Sequence, residues 1–521
     1  MHIDARTLDN GSLIEGDLCI IGTGAAGLSI ALEWVAAGRK VILLEAGGFD
    51  PEARMQALYR GASLDRPYYP LQAARLHYFG GTTGHWAGYC SPFDPIDFVK
   101  RDWVPHSGWP ITRADLDVYY ARANKLLELG PYEMYNPSNW EGLDPEVRRL
   151  PLDGKVFYPK MWQFSPPTRM GTIYRDQIVK SDNVHLYTYA KVVEVVPNRD
   201  LNAIEGLRVK TIDGKEHQAR ARQYVVACGS IHSARLLLAS NSRAPNGVGN
   251  QNDNVGRFFQ EHFEIMTAQL TFEKPPAAKI YTISTIGDIR ARAEMALSGD
   301  VQTKHRILNG TASFRPGVIT GSEQSRFATF SADAVANVEA RRKAERERGK
   351  AKAGGAAQAK AAPDGPSLSY VAATRQEQTP NPESRIVLDA EKDELGMPLA
   401  NLRWKFTKLD KRSIRIFYEL LGQELGRAGL GRVQVMDWLL DGNDESWPSI
   451  LAAGWHHMGT LRMAENPKEG VVDANCKVHG LSNLFVAGDP VFSTSGAPNP
   501  TLTVVAVALR LSDHLKNKVL V

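Results

Sequence analysis

The sequence predicts an α/β chain of two packed regions, and three observations carry that reading. The chain has 521 residues, too many for one small core. A short apolar run, Asp17 to Ile21, is followed by Gly22-Thr23-Gly24-Ala25-Ala26-Gly27 and a helical stretch from Leu28 to Ala37. A second apolar run, Val41 to Leu44, comes after the turn Gly38-Arg39-Lys40 and closes on Glu45. Strand, glycine turn, helix and strand make a complete β–α–β unit of the Rossmann type.

Each glycine of that turn has a physical role. Gly22 permits the tight turn off the strand, Gly24 lets the backbone approach a pyrophosphate, and Gly27 lets the helix pack closely on the sheet. Phosphates are then expected at the helix N-terminus, where free N–H groups and the dipole favour negative charge. Glu45 lies eighteen residues after Gly27, where a carboxylate accepts bonds from ribose hydroxyls. The motif predicts dinucleotide binding and does not by itself separate FAD from NAD. Its place near the N-terminus and the continuation Glu45-Ala46-Gly47-Gly48 favour FAD, and an acid at position 45 argues against a 2′-phosphate.

Further along, a loop-rich section runs from about 46 to 110 and holds Gly80-Gly81-Thr82-Thr83-Gly84-His85-Trp86, too glycine-rich for regular structure. Arg113 to Gly130 has helical periodicity, with Thr112 as its N-cap. Val184 to Val196 and Leu207 to Ile212 read as paired strands, Tyr224 to Ala227 as a buried strand, and Ser233 to Ser240 as a helix. The section 261–454 is mixed, and within it 341–366 reads as a solvated helix end running into a flexible basic linker. Leu484 to Ala487 is a buried strand ending at Gly488, and a loop then leads to an apolar helix, Thr501 to Leu515.

Composition narrows the function classes. A net charge of +4 is mild for this length and does not point to nucleic acid or a membrane surface. Cys19, Cys90, Cys228 and Cys476 are scattered with no CxxC, which argues against zinc, iron–sulfur or c-type haem sites; no metal is expected. Disulfides are not required. The polar first residues lack a signal-peptide pattern, and no apolar stretch suits a membrane span, so a cytoplasmic protein is expected.

At this point the sequence resembles the glucose–methanol–choline (GMC) oxidoreductases. The likeness rests on the Gly22–Glu45 unit, the segment Gly80 to Gly88, Val226 to Leu237, Asn381-Pro382-Glu383-Ser384-Arg385, and Trp455 through His514, in family order across nearly the whole chain. His85-Trp86 and Asn499-Pro500-Thr501-Leu502-Thr503 make it most similar to the bacterial sugar and glycoside dehydrogenases and the pyranose oxidases. The sequence departs from that branch in lacking clustered cysteines, in Gly84 before the His-Trp pair, and in the basic 341–366 segment. The resemblance implies a Rossmann-type FAD-binding domain assembled from 1–110, 181–260 and 455–521. It implies a substrate-binding domain on a mostly antiparallel sheet from 111–180 and 261–454.

It also implies a chemistry. A carbon releases hydride readily when its hydroxyl loses its proton at about the same time, so a base must reach that oxygen. His456, in His456-His457-Met458-Gly459-Thr460, matches the family's base, and imidazole suits that role because its ordinary pKa lies near neutrality. Asn499 is expected to orient the substrate oxygen and offer it a donor. His457 is the competitor of His456 for the base role, with a structural neighbour bonded to backbone as its favoured reading, and His479, His262 and His232 are read as structural.

The expected FAD contacts beyond the first turn are Gly81, Thr82, His85, Trp86, Val192, Gly229, Gly488, Asp489, Pro500 and Thr501. A covalent bond from His85 to the flavin occurs in pyranose oxidases; packing or hydrogen bonding near the ring is the favoured role here. The expected partners are an alcohol or sugar substrate and oxygen or a separate electron carrier, with oligomerisation left open. The alternatives are a GMC-type enzyme for another alcohol, such as an amino-sugar intermediate or an aryl or terpene alcohol, and a non-catalytic flavin-binding subunit.

Overall fold

The computed structural model describes residues 1–144, 146–276, 279–317, 368–439, 447 and 451–520. The basic stretch expected at 341–366 lies outside these residues.

The apolar run predicted at the start of the chain forms the strand Leu13–Ile21, and Val41–Leu44 lies parallel beside it. Their side chains are buried from Leu18 to Ile21 and throughout Val41–Leu44, as a strand covered on both faces requires. The sheet continues outward through Val184–Thr188 to His2–Asp4, all parallel. On the other side comes Glu216–Val226, parallel to Leu13–Ile21. The far half of that strand also takes Leu484–Val486 in parallel, so the last strand among the described residues joins the first sheet. Ile204–Lys210 and Lys191–Pro197 complete the sheet as an antiparallel extension.

Two helices cover one face. Ala25–Trp34 follows the glycine turn, and the C-terminal helix Thr501–His514 packs on it, with the Trp34 indole donating to Ser512 Oγ at 3.1 Å. The first helix starts three residues before the expected Leu28 and ends three before the expected Ala37, where Ala36 takes a left-handed φ of 63°. The helix Gly229–Ala239 packs near Lys191–Pro197, where Ser240 Oγ accepts from Val195 N at 2.9 Å.

The second sheet is antiparallel throughout: Gly431–Val435, Phe263–Phe272, Ser369–Gln376, Gly310–Pro316, Ile289–Leu297, Phe157–Phe164 and Tyr89–Cys90. The helix Lys408–Arg427 lays Ile414, Phe417, Tyr418, Leu421 and Leu425 into a core with Ile265, Leu270, Phe157 and Met161. That spacing is one face of a helix. Thr407 and Asp410 form a reciprocal capping box at its start.

Two sequence expectations change. Val184 to Val196 is two strands, not one: Tyr189, at φ 54°, turns the chain, and the halves lie on opposite sides of the first sheet, Val184–Thr188 inside His2–Asp4 and Lys191–Pro197 at the far edge. Thr112 does not cap the following helix, which spans Ala114–Leu126; its N–H and hydroxyl both reach the Asp115 carboxylate instead.

Candidate active site

The first sheet's strand ends, the second sheet and the C-terminal loop enclose one cavity of about 450 Å³. Gly22, Gly24, Glu45, Gly81, Thr82, His85, Trp86 and Val192 line it. So do Gly229, Gly488, Asp489, His456, Asn499, Pro500 and Thr501. Of the predicted contacts Gly27 alone is missing from the lining, which suits its packing role, since a Cβ there would stand 2.0 Å from the Gly22 carbonyl oxygen.

The glycine turn fits a diphosphate. Gly22 has φ +102°, and a Cβ there would meet the Ala227 carbonyl oxygen at 2.7 Å. A Cβ at Gly24 would meet nothing within 4 Å, so this backbone faces open space at the N-terminus of Ala25–Trp34. Gly81, at φ +51°, crosses the turn with room for only hydrogen: its Cβ would come within 3.0 Å of Gly24 Cα. The Gly80 N–H donates to the Thr23 carbonyl at 3.1 Å, so the two glycine loops form one cradle.

Glu45 is buried, and burial raises its pKa. It accepts from the Gly47 N–H at 2.8 Å and from the Thr23 hydroxyl and N–H. A carboxylate has about four lone-pair sites, so acceptor capacity remains for a ribose. Asp489 accepts from Ser230 Oγ at 2.8 Å, and burial pushes it up to about 7. The cradle, the open face at Gly24 and the lining that runs from Glu45 to Asn499 fit FAD; Gly22, Gly24, Glu45, Gly81 and Asp489 are placed to hold it. Near Glu45, sequence reading missed a polar cluster. Lys191 Nζ lies 2.7 Å from His232 Nε2 and 3.4 Å from His77 Nε2, and burial lowers the lysine to about 7.

At the far end His456 and Asn499 meet. Asn499 Nδ2 lies 3.1 Å from His456 Nε2, and Asn499 Oδ1 accepts from the Trp162 indole at 3.0 Å. Gly454 admits the imidazole: a Cβ there would stand 2.3 Å from His456 Nδ1. Trp455 takes φ +61°, a costly conformation for a bulky residue and one that clusters at functional sites. Its ring stands 5.4 Å from that of His85. Trp86 is held by its indole N–H, which donates to the Thr168 carbonyl at 2.8 Å.

The residues behind His456 were not foreseen. The Glu261 carboxylate accepts from the backbone N–H groups of both His456 and His262 at 2.8 Å, and from the Tyr68 hydroxyl at 2.5 Å. Burial pushes Glu261 up to about 8. His457, expected on backbone, has its Nε2 2.8 Å from the Tyr68 hydroxyl. His262 is a direct neighbour of His456, with the two Nδ1 atoms 2.9 Å apart. Burial lowers all three histidines, His456 well below its ordinary value and the other two to about 3, so the rings are neutral near pH 7. The one sequence signal was Gln260-Glu261-His262, three polar residues that enter an apolar strand and are wholly buried.

The second sheet presents a cross-strand pair to the cavity. Glu264 and Arg375 are register partners, with Arg375 Nε donating to Glu264 Oε1 at 3.0 Å. Arg375 also approaches Glu294, which accepts from Arg292 and Thr311 at 2.7 Å.

The comparisons with known proteins agree with this geometry. Residues 380–508 match the GMC oxidoreductase family and 17–247 the FAD dependent oxidoreductase family. A 2-methyl-1,2-propanediol dehydrogenase of Mycolicibacterium austroafricanum is 23% identical, over 97% of this chain and 96% of its own. The fructose dehydrogenase large subunit of Gluconobacter japonicus is also 23% identical, over 97% and 98%. Among solved structures, pyridoxine 4-oxidase from Mesorbium loti superposes with TM-score 0.56 at 18% identity, over 96% and 98% of the two chains. With its dinucleotide cradle opening onto a histidine and an asparagine, an FAD dependent oxidoreductase match over 17–247 and a GMC oxidoreductase match over 380–508, the chain is an FAD-dependent oxidoreductase that acts on CH–OH groups.

Proposed function

We propose that the chain oxidises a ring hydroxyl of a sugar or glycoside to a carbonyl, with His456 as the base and Asn499 as the donor that holds the reacting oxygen. The observation that carries this reading is the 3.1 Å contact between Asn499 Nδ2 and His456 Nε2 inside the FAD cavity. FAD, when bound, supplies the acceptor for the hydride.

The side chains do the rest. His456 is neutral and so able to take a hydroxyl proton at Nε2. The Asn499 amide, with its oxygen occupied by Trp162, turns its N–H toward the same point and stabilises negative charge developing on oxygen. A substrate hydroxyl entering between them replaces their mutual hydrogen bond. Glu264 and Arg375 offer an acceptor and a donor on the substrate side, which suits a hydroxyl-rich molecule better than an apolar one.

The relatives fit a polyhydroxylated substrate, since one is named for a diol and the other for fructose. The first supports a second reading, a small diol in place of a sugar. In this reading 1–110, 181–260 and 455–521 serve FAD, while 111–180 and 261–454 shape the substrate pocket. Oxygen or a separate carrier would take the electrons from FAD when it is bound. All four cysteines are free thiols, which fits the cytoplasm as the place of action.

Adding sugars, glycosides and diols to the oxidised holoenzyme without oxygen tests the assignment. Bleaching of the flavin absorbance by sugars supports the first reading and bleaching by small diols alone the second. Bleaching by none of them defeats both. His456→Ala should retain FAD and lose ~10²–10⁴-fold in turnover; near-normal rates would remove His456 as the base.

A further inference from the structure

The hydrogen bonds around His456 form a chain fixed at both ends by groups with one polarity. At one end the Trp162 indole, which only donates, meets Asn499 Oδ1 at 3.0 Å. The amide orientation is therefore set, and Asn499 Nδ2 is the donor facing His456 Nε2 at 3.1 Å. At the other end His262 Nε2 lies 3.1 Å from the Ser495 carbonyl oxygen and 2.9 Å from that of Gly496. Carbonyl oxygens only accept, so this nitrogen carries a proton. Between these ends the two Nδ1 atoms face each other at 2.9 Å, a distance that needs one proton between them. With Nε2 of His456 bare and Nε2 of His262 protonated, two neutral rings satisfy every contact in one way only. His456 carries its proton on Nδ1 and donates it to the bare Nδ1 of His262.

We infer that His262 is a positioning residue that locks His456 as the Nδ1–H tautomer, leaving Nε2 as the proton-accepting atom toward the cavity. The inference rests on the reading of His456 as the base. In the reaction the substrate O–H bond breaks and an Nε2–H bond forms, while the hydrogen on carbon leaves with its electron pair as a hydride, which FAD would accept when bound. His456 becomes an imidazolium, and its Nδ1–H bond to His262 strengthens because the donor is now charged. A neutral imidazole thus fills the place that a buried carboxylate holds behind the histidine of a hydrolase triad. Glu261 is not that carboxylate: its oxygens take the backbone N–H groups of both histidines and the Tyr68 hydroxyl, not the His456 ring.

Neutron diffraction from deuterated holoenzyme without substrate reads the chain directly. Deuterons on His456 Nδ1 and His262 Nε2 support it, and a deuteron on His456 Nε2 overturns it. Two variants of similar size test the consequence. His262→Asn keeps an acceptor near the position of Nδ1, whereas His262→Leu does not. With FAD content as the check on folding, His262→Leu should lower kcat ~10²-fold or more, the scale of a general-base contribution, and His262→Asn should recover most of that loss. Equal activity in the two overturns the inference. If neither variant folds, the neutron map of the unaltered enzyme still decides. A fully active His456→Ala would remove the base assignment, whereas the deuteron positions test the tautomer on their own.

Discussion

Asn499 Nδ2 stands 3.1 Å from His456 Nε2 although 43 positions separate the two residues. The meeting is made by the strand Leu484–Val486, which carries the chain back into the first sheet, and by the loop that drops Asn499 just ahead of the helix Thr501–His514. Asn499→Asp tests whether the amide is there as a donor. An aspartate can still accept from Trp162, but it offers no N–H to a substrate oxygen and sets a negative charge beside the imidazole. That charge favours the imidazolium and raises the pKa of His456. Turnover should fall ~10²–10³-fold, as for loss of one oxyanion donor. The activity that remains should appear at higher pH than in the unaltered enzyme. A pH series with an artificial dye acceptor measures both effects.

The same logic fixes the pH profile of the unaltered enzyme. Burial, then the neighbouring His262 and Arg375, hold His456 well below the ordinary histidine value of 6.5. A base works in its neutral form, and here the neutral form persists as pH falls through 6.5. The acid limb of kcat should therefore lie well below that value, with no loss from this group between roughly pH 6 and 8. A histidine limb near 6.5 that disappears in the His456→Ala residual activity would contradict the burial argument.

Gly454 gives a third test. Alanine there would place its Cβ 2.3 Å from His456 Nδ1 and 2.6 Å from Cε1, so the ring must move. The N–H of Gly454 and the cradle residues around Gly24 are not altered, and FAD content should be preserved. Displacing a reacting group by about 1 Å costs ~10²-fold, which is the expected drop in kcat. Loss of FAD instead would mean that the substitution disturbs the fold and not only the ring.

How much of this was legible in the sequence follows from how local each signal is. The turn Gly22 to Gly27 and the acid at 45 are set by close backbone approaches within one β–α–β unit, and their spacing survives in the bare sequence. His456 and Asn499 were legible from motif likeness, each in a short run of its own. His262, Glu261 and Tyr68 were not, because their partners are fixed by the packing of distant segments: Tyr68 and His457 are 389 positions apart. The Glu264–Arg375 pair depends on the register of two strands separated by residues outside the described structure. The split of Val184 to Val196 was hidden for another reason: both strands are apolar, and only the left-handed Tyr189 marks the turn. Aromatic residues carry no sequence signal for that conformation, unlike glycine.

Glu261 supplies the last test, one of stability. Burial raises its carboxyl from 4.5 to about 8, so the folded chain holds a proton that the unfolded chain has released between those values. Where the native state binds more protons, stability falls as pH rises. The contribution of this group is fully present below pH 4.5 and is lost as pH climbs through about 8. Glu261→Gln cannot ionise, and its side-chain carbonyl still accepts from the N–H groups of His456 and His262. The variant and the unaltered protein should therefore melt at similar temperatures near pH 5. At pH 9 the variant should lead by roughly 2–5 °C, the scale of a few kcal/mol in a chain this long. Calorimetry of the two proteins across that range, at equal FAD content, gives the difference. A constant gap, or a variant that loses ground as pH rises, would mean that Glu261 is ionised in the fold and that its two backbone donors and Tyr68 outweigh the burial.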